Sequence, residues 1–202
     1  MLLELLCVAV GLIIALLYYV LSLESPNQCC TMVVLGSGGH TAELLSYVSQ
    51  LPPVYSPRIY VVASTDELSG IKAQALEKDR GADDFFVENL PRAREVGQSY
   101  LTSVFTTCIA IVASVLIVLR HRPRLVLCNG PGTCVPICLV AKMAQPFIRG
   151  STTIVFVESV CRTRSLSVSG RLLYHFRVAR VIVQWPYLLQ AYPRATYLGL
   201  LS

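Results

Sequence analysis

Residues 32 to 44 read MVVLGSGGHTAEL. An apolar run ends in Gly36-Ser37-Gly38-Gly39-His40, and a helix-like stretch starts at Thr41. Strand, glycine turn and helix in that order form the repeating unit of an α/β sheet. Glycines let the chain turn sharply at positive φ and let the backbone approach a ligand, while the first N–H groups of the helix are free to bind an anion. The loop is therefore a candidate phosphate cradle, with a tight strand–helix turn that holds no ligand as the alternative. It is not a P-loop, because no Gly-Lys-Ser/Thr follows. A dinucleotide fingerprint needs a third glycine where Thr41 stands, and Asp66 falls later than the ribose-binding acid of that motif.

Outward from this loop, strand-like and helix-like segments alternate. Thr31 to Leu35, Arg58 to Ala63, Phe85 to Glu88, Arg124 to Cys128, Thr153 to Val157 and Arg180 to Gln184 are β-branched and nearly continuous in apolar character. Strands covered on both faces have that composition. Helices are predicted over Thr41 to Leu51, Asp66 to Asp79, Val96 to Arg120, Pro136 to Gln145 and Ser167 to Phe176, with a short one from Tyr187 to Ala191. The alternation predicts one Rossmann-like α/β domain with a doubly wound parallel sheet.

The chain of 202 residues is 54% hydrophobic and 14% charged, more apolar than ordinary soluble proteins. Leu5 to Leu23 carries no charge and is long enough to cross the hydrocarbon core as a helix. The alternative is a cleaved signal peptide. However, no basic segment precedes the run, Glu4 does, and the run exceeds a usual signal-peptide core. The expected organisation is thus a transmembrane anchor over residues 1–24 and the α/β domain over 25–202. All 17 Lys and Arg residues follow the anchor, which favours a cytosolic domain. Against 12 Asp and Glu, that excess suits an anionic membrane surface or a phosphate ligand, and it is too small to argue for nucleic acid.

Val96 to Leu119 is also uncharged. If it spanned the membrane it would separate neighbouring strands, so it is expected to be a helix of the domain. Ser99, Ser103, Thr106, Ala110 and Ser114 form its small face, and Val104, Cys108, Ile111, Val115 and Leu119 its bulky one. Two readings stay open: the bulky face dips into the bilayer, supported by Arg120, Arg122 and Arg124, or the helix is wholly buried. The 8 cysteines show neither a disulfide frame nor a Cys/His cluster, so buried thiols are expected, and neither a metal nor a cofactor is called for.

Other loops join the first at the carboxyl edge of the sheet, where open α/β sheets bind their ligands. Asn129-Gly130-Pro131-Gly132-Thr133 follows the fourth strand, and Glu158-Ser159-Val160-Cys161-Arg162 follows the fifth. Asp66, Glu67, Arg92 and Arg94 belong to the same edge. His40 beside the cradle can take a proton or hydrogen-bond a sugar hydroxyl, with a capping or packing histidine as the alternative. Three loops converging with a histidine, a carboxylate and arginines make a site.

Taken together, Gly-Ser-Gly-Gly-His-Thr, Pro-Arg-Ala-Arg-Glu-Val-Gly-Gln-Ser, Leu-Val-Leu-Cys-Asn-Gly-Pro-Gly-Thr-Cys-Val-Pro and Val-Glu-Ser-Val-Cys-Arg, with Gln184-Trp185-Pro186 and Tyr197-Leu198-Gly199, resemble one family over essentially the whole chain. It is the family of membrane-anchor subunits of the eukaryotic UDP-N-acetylglucosamine transferase that acts second in dolichol-linked oligosaccharide assembly. That family is similar to the acceptor half of the bacterial enzyme completing lipid-linked peptidoglycan precursors. The bacterial loop reads Gly-Gly-Thr-Gly-Gly-His, where this chain has Leu35 at the first glycine.

The resemblance implies the acceptor half of a GT-B glycosyltransferase, with the donor-binding half on a separate soluble subunit. It implies an inverting transfer of N-acetylglucosamine from UDP, bound through the partner, to the 4-hydroxyl of dolichyl-diphosphate N-acetylglucosamine at the cytosolic face of the endoplasmic reticulum membrane. His40 or Glu158 would be the general base. Gly36, Ser37, Gly38, Gly39, Asn129 and Gly130 would hold the lipid diphosphate, with Arg92 and Arg162. Tyr197, Leu198, Leu200 and Leu201, in an apolar tail, would dock the partner. An NAD(P)-dependent enzyme using the first loop, and a membrane scaffold with no catalytic residue, are the alternatives.

Overall fold

Thr31–Val34 (β1) and Arg58–Ala63 (β2) are buried at every position, which is why their sequences lack the polar alternation of a half-exposed strand. The computed structural model describes residues 28–92, 100–130, 132–147 and 151–201. The remaining strands are Phe85–Leu90 (β3), Leu125–Asn129 (β4), Thr153–Val157 (β5), Arg180–Val183 (β6) and Thr196–Tyr197 (β7). They form one parallel sheet in the order β3-β2-β1-β4-β5-β6-β7.

Helices Gly39–Ser49 (α1) and Glu67–Asp79 (α2) lie on one face of the sheet, over a core of Val33, Leu35, Tyr60, Val62 and Leu127. Tyr100–His121 (α3), Cys134–Ala144 (α4) and Val168–His175 (α5) cover the other face, over Met32, Val34, Ile59, Val61, Val126 and Phe156. Successive residues of β1 thus feed opposite cores, the period-two consequence of a strand buried on both sides. Short α6 (Leu188–Ala191) leads into β7, which pairs in parallel with β6.

Side chains fasten the joints. Asp66 caps α2, accepting from Ser69 N at 3.3 Å and Ser69 Oγ at 2.7 Å. Arg80 donates to the carbonyls of Val48, Ser49 and Leu51 at 2.8, 2.7 and 2.6 Å, satisfying the open end of α1. Beneath α2, Arg58 meets Glu77 through Nε at 2.7 Å and Nη2 at 3.0 Å, and Tyr60 donates its hydroxyl to the same carboxylate. Burial and that carboxylate push the Tyr60 phenol well up.

Three expectations shift. The fourth strand runs one residue later than the sequence suggested, and a seventh strand appears at the tail. α3 packs on the sheet through Ala110 and Ser114, both fully buried, so the small face is the inner one. Its outer face is Phe105, Ile109, Val112, Leu116 and Leu119, with Phe105, Val112 and Leu116 more than 60% exposed, which removes the wholly buried alternative. Ile111 and Val115, assigned to the bulky outer face, are instead partly buried against the core. Among the described residues no helix is long and apolar enough to cross a membrane. The expected anchor over residues 1–24 lies outside them, as do Arg94 and residues 96–99.

Candidate active site

The β1–α1 loop is pinned from behind and open in front. Thr41 Oγ1 donates to the Gly36 carbonyl, and Ser69 Oγ, whose proton goes to Asp66, lies 2.7 Å from Thr41 Oγ1 and 3.0 Å from that carbonyl. Thr41 is 1% exposed, so its side chain occupies the place that the third glycine of a dinucleotide fingerprint leaves clear. Ser37, Gly38 and Gly39 are exposed. Gly38 has φ 64°, a left-handed turn that sends the chain into α1, and a Cβ on Gly38 or Gly39 would meet nothing within 4 Å. Among the described residues nothing lies against the two glycines at the helix N-terminus, as an anion cradle requires.

His40, on the first turn of α1, reaches the loop after β4. Its Nδ1 lies 2.9 Å from Asn129 Oδ1. The ring rests on Gly130, where a Cβ would fall within 2.8 Å of Cε1, Nδ1 and Nε2, and Gly130 itself has φ 75°. Glycine is required there twice over, for its conformation and for the ring against it. Asn129 is fully buried, and its amide donates to Glu43 Oε2 at 2.7 Å. Ser159, past β5, donates to the other oxygen of Glu43 at 2.9 Å. One carboxylate on α1 therefore joins the loops after β1, β4 and β5.

Several sequence assignments change. Asn129 has its side-chain carbonyl against His40 and its amide on Glu43, so its side chain orients protein groups. Gly130 seats the imidazole. Glu158 is fully buried, with Oε2 accepting from Ser167 N at 2.8 Å at the start of α5 and Oε1 without a partner among the described residues. Burial pushes its carboxyl above the ordinary value, against the pull of the Ser167 backbone. Its carboxylate lies against Gly170 and beside Phe156, out of contact with solvent, whereas His40 stands at the edge of the open loop. Asp66, already too late in the chain for a ribose-binding acid, caps α2. Arg92 is half-buried beyond β3 and Arg162 is exposed beyond β5, on the same edge. Glu43 and Ser159 were not singled out from the sequence as members of the site. A histidine and a glutamate three residues apart on one helix face was the signal for the former.

The tail divides. Tyr197, Leu198 and Leu200 are exposed, while Leu201 packs against the α1-side core and its N–H donates to Gln184 Oε1 at 2.9 Å. Gln184 in turn donates to Tyr47 of α1 at 2.7 Å. Leu201 thus anchors the tail to its own domain, contrary to its expected entry into a partner groove.

Residues 31–201 match the family described as "Oligosaccharide biosynthesis protein Alg14 like". The chain is 48% identical over 175 residues to the UDP-N-acetylglucosamine transferase subunit ALG14 of Rattus norvegicus, covering 83% of this chain and 81% of that one. With the Homo sapiens protein of that name it shares 43% over 201 residues, 95% and 93% of the two chains. Among solved structures, MurG of Acinetobacter baumannii superposes with a TM-score of 0.59 at 16% identity, over 86% of this chain and 45% of MurG. A UDP-N-acetylglucosamine 2-epimerase from Rickettsia bellii gives 0.53, also at 16% and over the same shares. These two share the fold, and this chain spans about half the length of each.

Proposed function

The chain belongs to the Alg14-like family of oligosaccharide biosynthesis proteins, and from that premise we propose that it is the acceptor-side subunit of a UDP-N-acetylglucosamine transferase. A soluble partner binds the UDP sugar. This subunit binds dolichyl-diphosphate N-acetylglucosamine and deprotonates its 4-hydroxyl, in one inverting displacement. The observation that carries the reading is His40, set on Gly130 directly beside the open Ser37-Gly38-Gly39 turn. There a base and an anion cradle lie side by side, as a diphosphate-linked sugar acceptor requires. Arg92 and Arg162 lie at the same edge to meet the phosphates.

The proposed location is the endoplasmic reticulum membrane, with residues 1–24 as a single anchor and the domain cytosolic. The exposed apolar row on α3, ending at Arg120, supports contact with a lipid surface. Tyr197, Leu198 and Leu200 are the proposed docking residues for the partner. The buried Thr41 side chain argues against a dinucleotide enzyme. The test is purification of the tagged full chain from membranes. A small glycosyltransferase half should accompany it, and the pair should transfer N-acetylglucosamine from UDP to dolichyl-diphosphate N-acetylglucosamine. Full transfer by the partner with His40→Ala would leave this chain a scaffold, and tight NAD(P) binding would overturn the reading.

A further inference from the structure

Glu43 bonds to Asn129 and Ser159, and through Asn129 it is linked to His40. A carboxylate carries acceptors only, so the group Asn129 presents to it at 2.7 Å is its NH2. The Asn129 carbonyl then points to His40 Nδ1 at 2.9 Å, and a carbonyl can be met there only by an N–H. An Nδ1–H therefore faces Asn129, and the neutral tautomer compatible with that contact has its lone pair on Nε2. Ser159 Oγ donates to the second oxygen of Glu43 at 2.9 Å and accepts from Cys161 N at 3.3 Å, which fixes the carboxylate from the far side. Because Asn129 is fully buried, no water competes for its amide.

We infer that Glu43 is a positioning residue that sets the tautomer of His40 through Asn129, leaving Nε2 as the atom that takes the acceptor proton. This rests on the transferase reading above. In the step it serves, the acceptor O4 bonds to C1 of the donor sugar, the C1–O bond to UDP breaks, and UDP leaves with the electron pair. The hydroxyl proton goes to Nε2. The imidazolium so formed keeps its Nδ1–H bond to Asn129, whose amide is polarised by the Glu43 carboxylate, so no group has to move as charge appears.

The chain has 3 histidines, so ¹⁵N-histidine labelling of the full-length protein in lipid nanodiscs resolves His40 from His121 and His175. Wild type should show His40 protonated on Nδ1. Glu43→Ala should give a mixture of tautomers, and Glu43→Gln, whose carbonyl still accepts from Asn129, should restore the wild-type form. Partners that orient functional histidines cost about 10-fold to 100-fold when removed, by analogy with those behind metal-bound histidines. Turnover with the partner subunit should fall by that factor in Glu43→Ala, with KM little changed, and recover in Glu43→Gln. A wild-type His40 protonated on Nε2 overturns the inference whatever the variants do. So does a folded Glu43→Ala with an unchanged tautomer. A shifted tautomer with unchanged turnover would leave the relay standing and remove His40 as the base, so the two readings fail separately.

Discussion

Gly130→Ala tests the site with one carbon atom. The added Cβ would lie within 2.8 Å of three atoms of the His40 ring, 2.5 Å from Nδ1. Ordinary carbon contacts lie near 3.5 Å, so the ring must retreat by roughly 1 Å. That retreat lengthens or tilts the 2.9 Å contact with Asn129 beyond useful hydrogen-bond geometry. Misplacement of a reacting group by about 1 Å costs on the order of 100-fold in rate. The residue must also hold φ 75°, a left-handed conformation costing an L-residue roughly 1–2 kcal/mol. Gly81→Ala separates the two effects, since Gly81 has φ 63° with nothing within 4 Å and lies far from the site, after α2. Denaturant midpoints should show both variants destabilised by about 1–2 kcal/mol. Initial rates of sugar transfer with the partner should fall about 100-fold in Gly130→Ala alone. Equal rates for the two variants would refute the claim that the His40 ring position matters to the reaction.

Glu158 gives a pH signature. Its folded-state carboxyl lies above the ordinary 4.5, so its contribution is fully present below that pH and is lost as pH climbs toward the folded value. Glu158→Gln should therefore flatten the fall in urea midpoint as pH climbs above 4.5, with turnover largely retained; a wild-type slope in the variant sinks the assignment. The α3 row is tested by Val112→Glu with Leu116→Glu in residues 25–202, using liposome flotation. Each side chain contributes about 1.5–3 kcal/mol when fully buried, so bound protein should drop at least tenfold while the melting temperature holds, and unchanged flotation would exclude a lipid contact. In the tail, Leu200→Asp should weaken partner recovery by about 2 kcal/mol at constant stability, and Leu201→Asp should instead destabilise the domain by about 1–3 kcal/mol. Interchange of the two effects, read by pull-down and denaturation, would reverse the roles of these neighbours.

Much of the sheet was legible because parallel strands buried on both faces must be continuously apolar, and β1, β2 and β5 are. β7 was not, because two residues, Thr196 and Tyr197, carry no period. The inner face of α3 was read correctly from Ala110 and Ser114, but its outer face was displaced. Each residue turns a helix by about 100°, so placing Ile111 and Val115 outward in place of Val112 and Leu116 is one such step. The candidate loops were legible through their glycines. Their internal roles were not, since Gly130 alone cannot say whether a ligand or a histidine ring lies against it. Glu43 reads as an ordinary solvated helix acid until Asn129 and Ser159 are brought to it by strands about 90 and 115 residues further on.

The placement of Glu43 follows from topology. β1 and β4 are neighbours, paired with Val34 opposite Cys128, yet their helices leave to opposite faces of the sheet. No crossover covers the carboxyl ends there, so the Gly36–His40 turn and Asn129–Gly130 form the two lips of an open crevice, the usual ligand position in such sheets. Lips that diverge cannot be held by the apolar core beneath either helix. They are held by a bond that crosses the crevice, from Glu43 of α1 to Asn129 at the end of β4 and to Ser159 past β5. Leu44 and Val48, fully buried, lock the rotation of α1 on the sheet. Glu43, one position before Leu44, is consequently aimed along the crevice toward Asn129 and Ser159, and His40, one turn earlier on the same side, toward Gly130. The docking of one helix thus sets the cradle, the base and the group that orients the base in a single step.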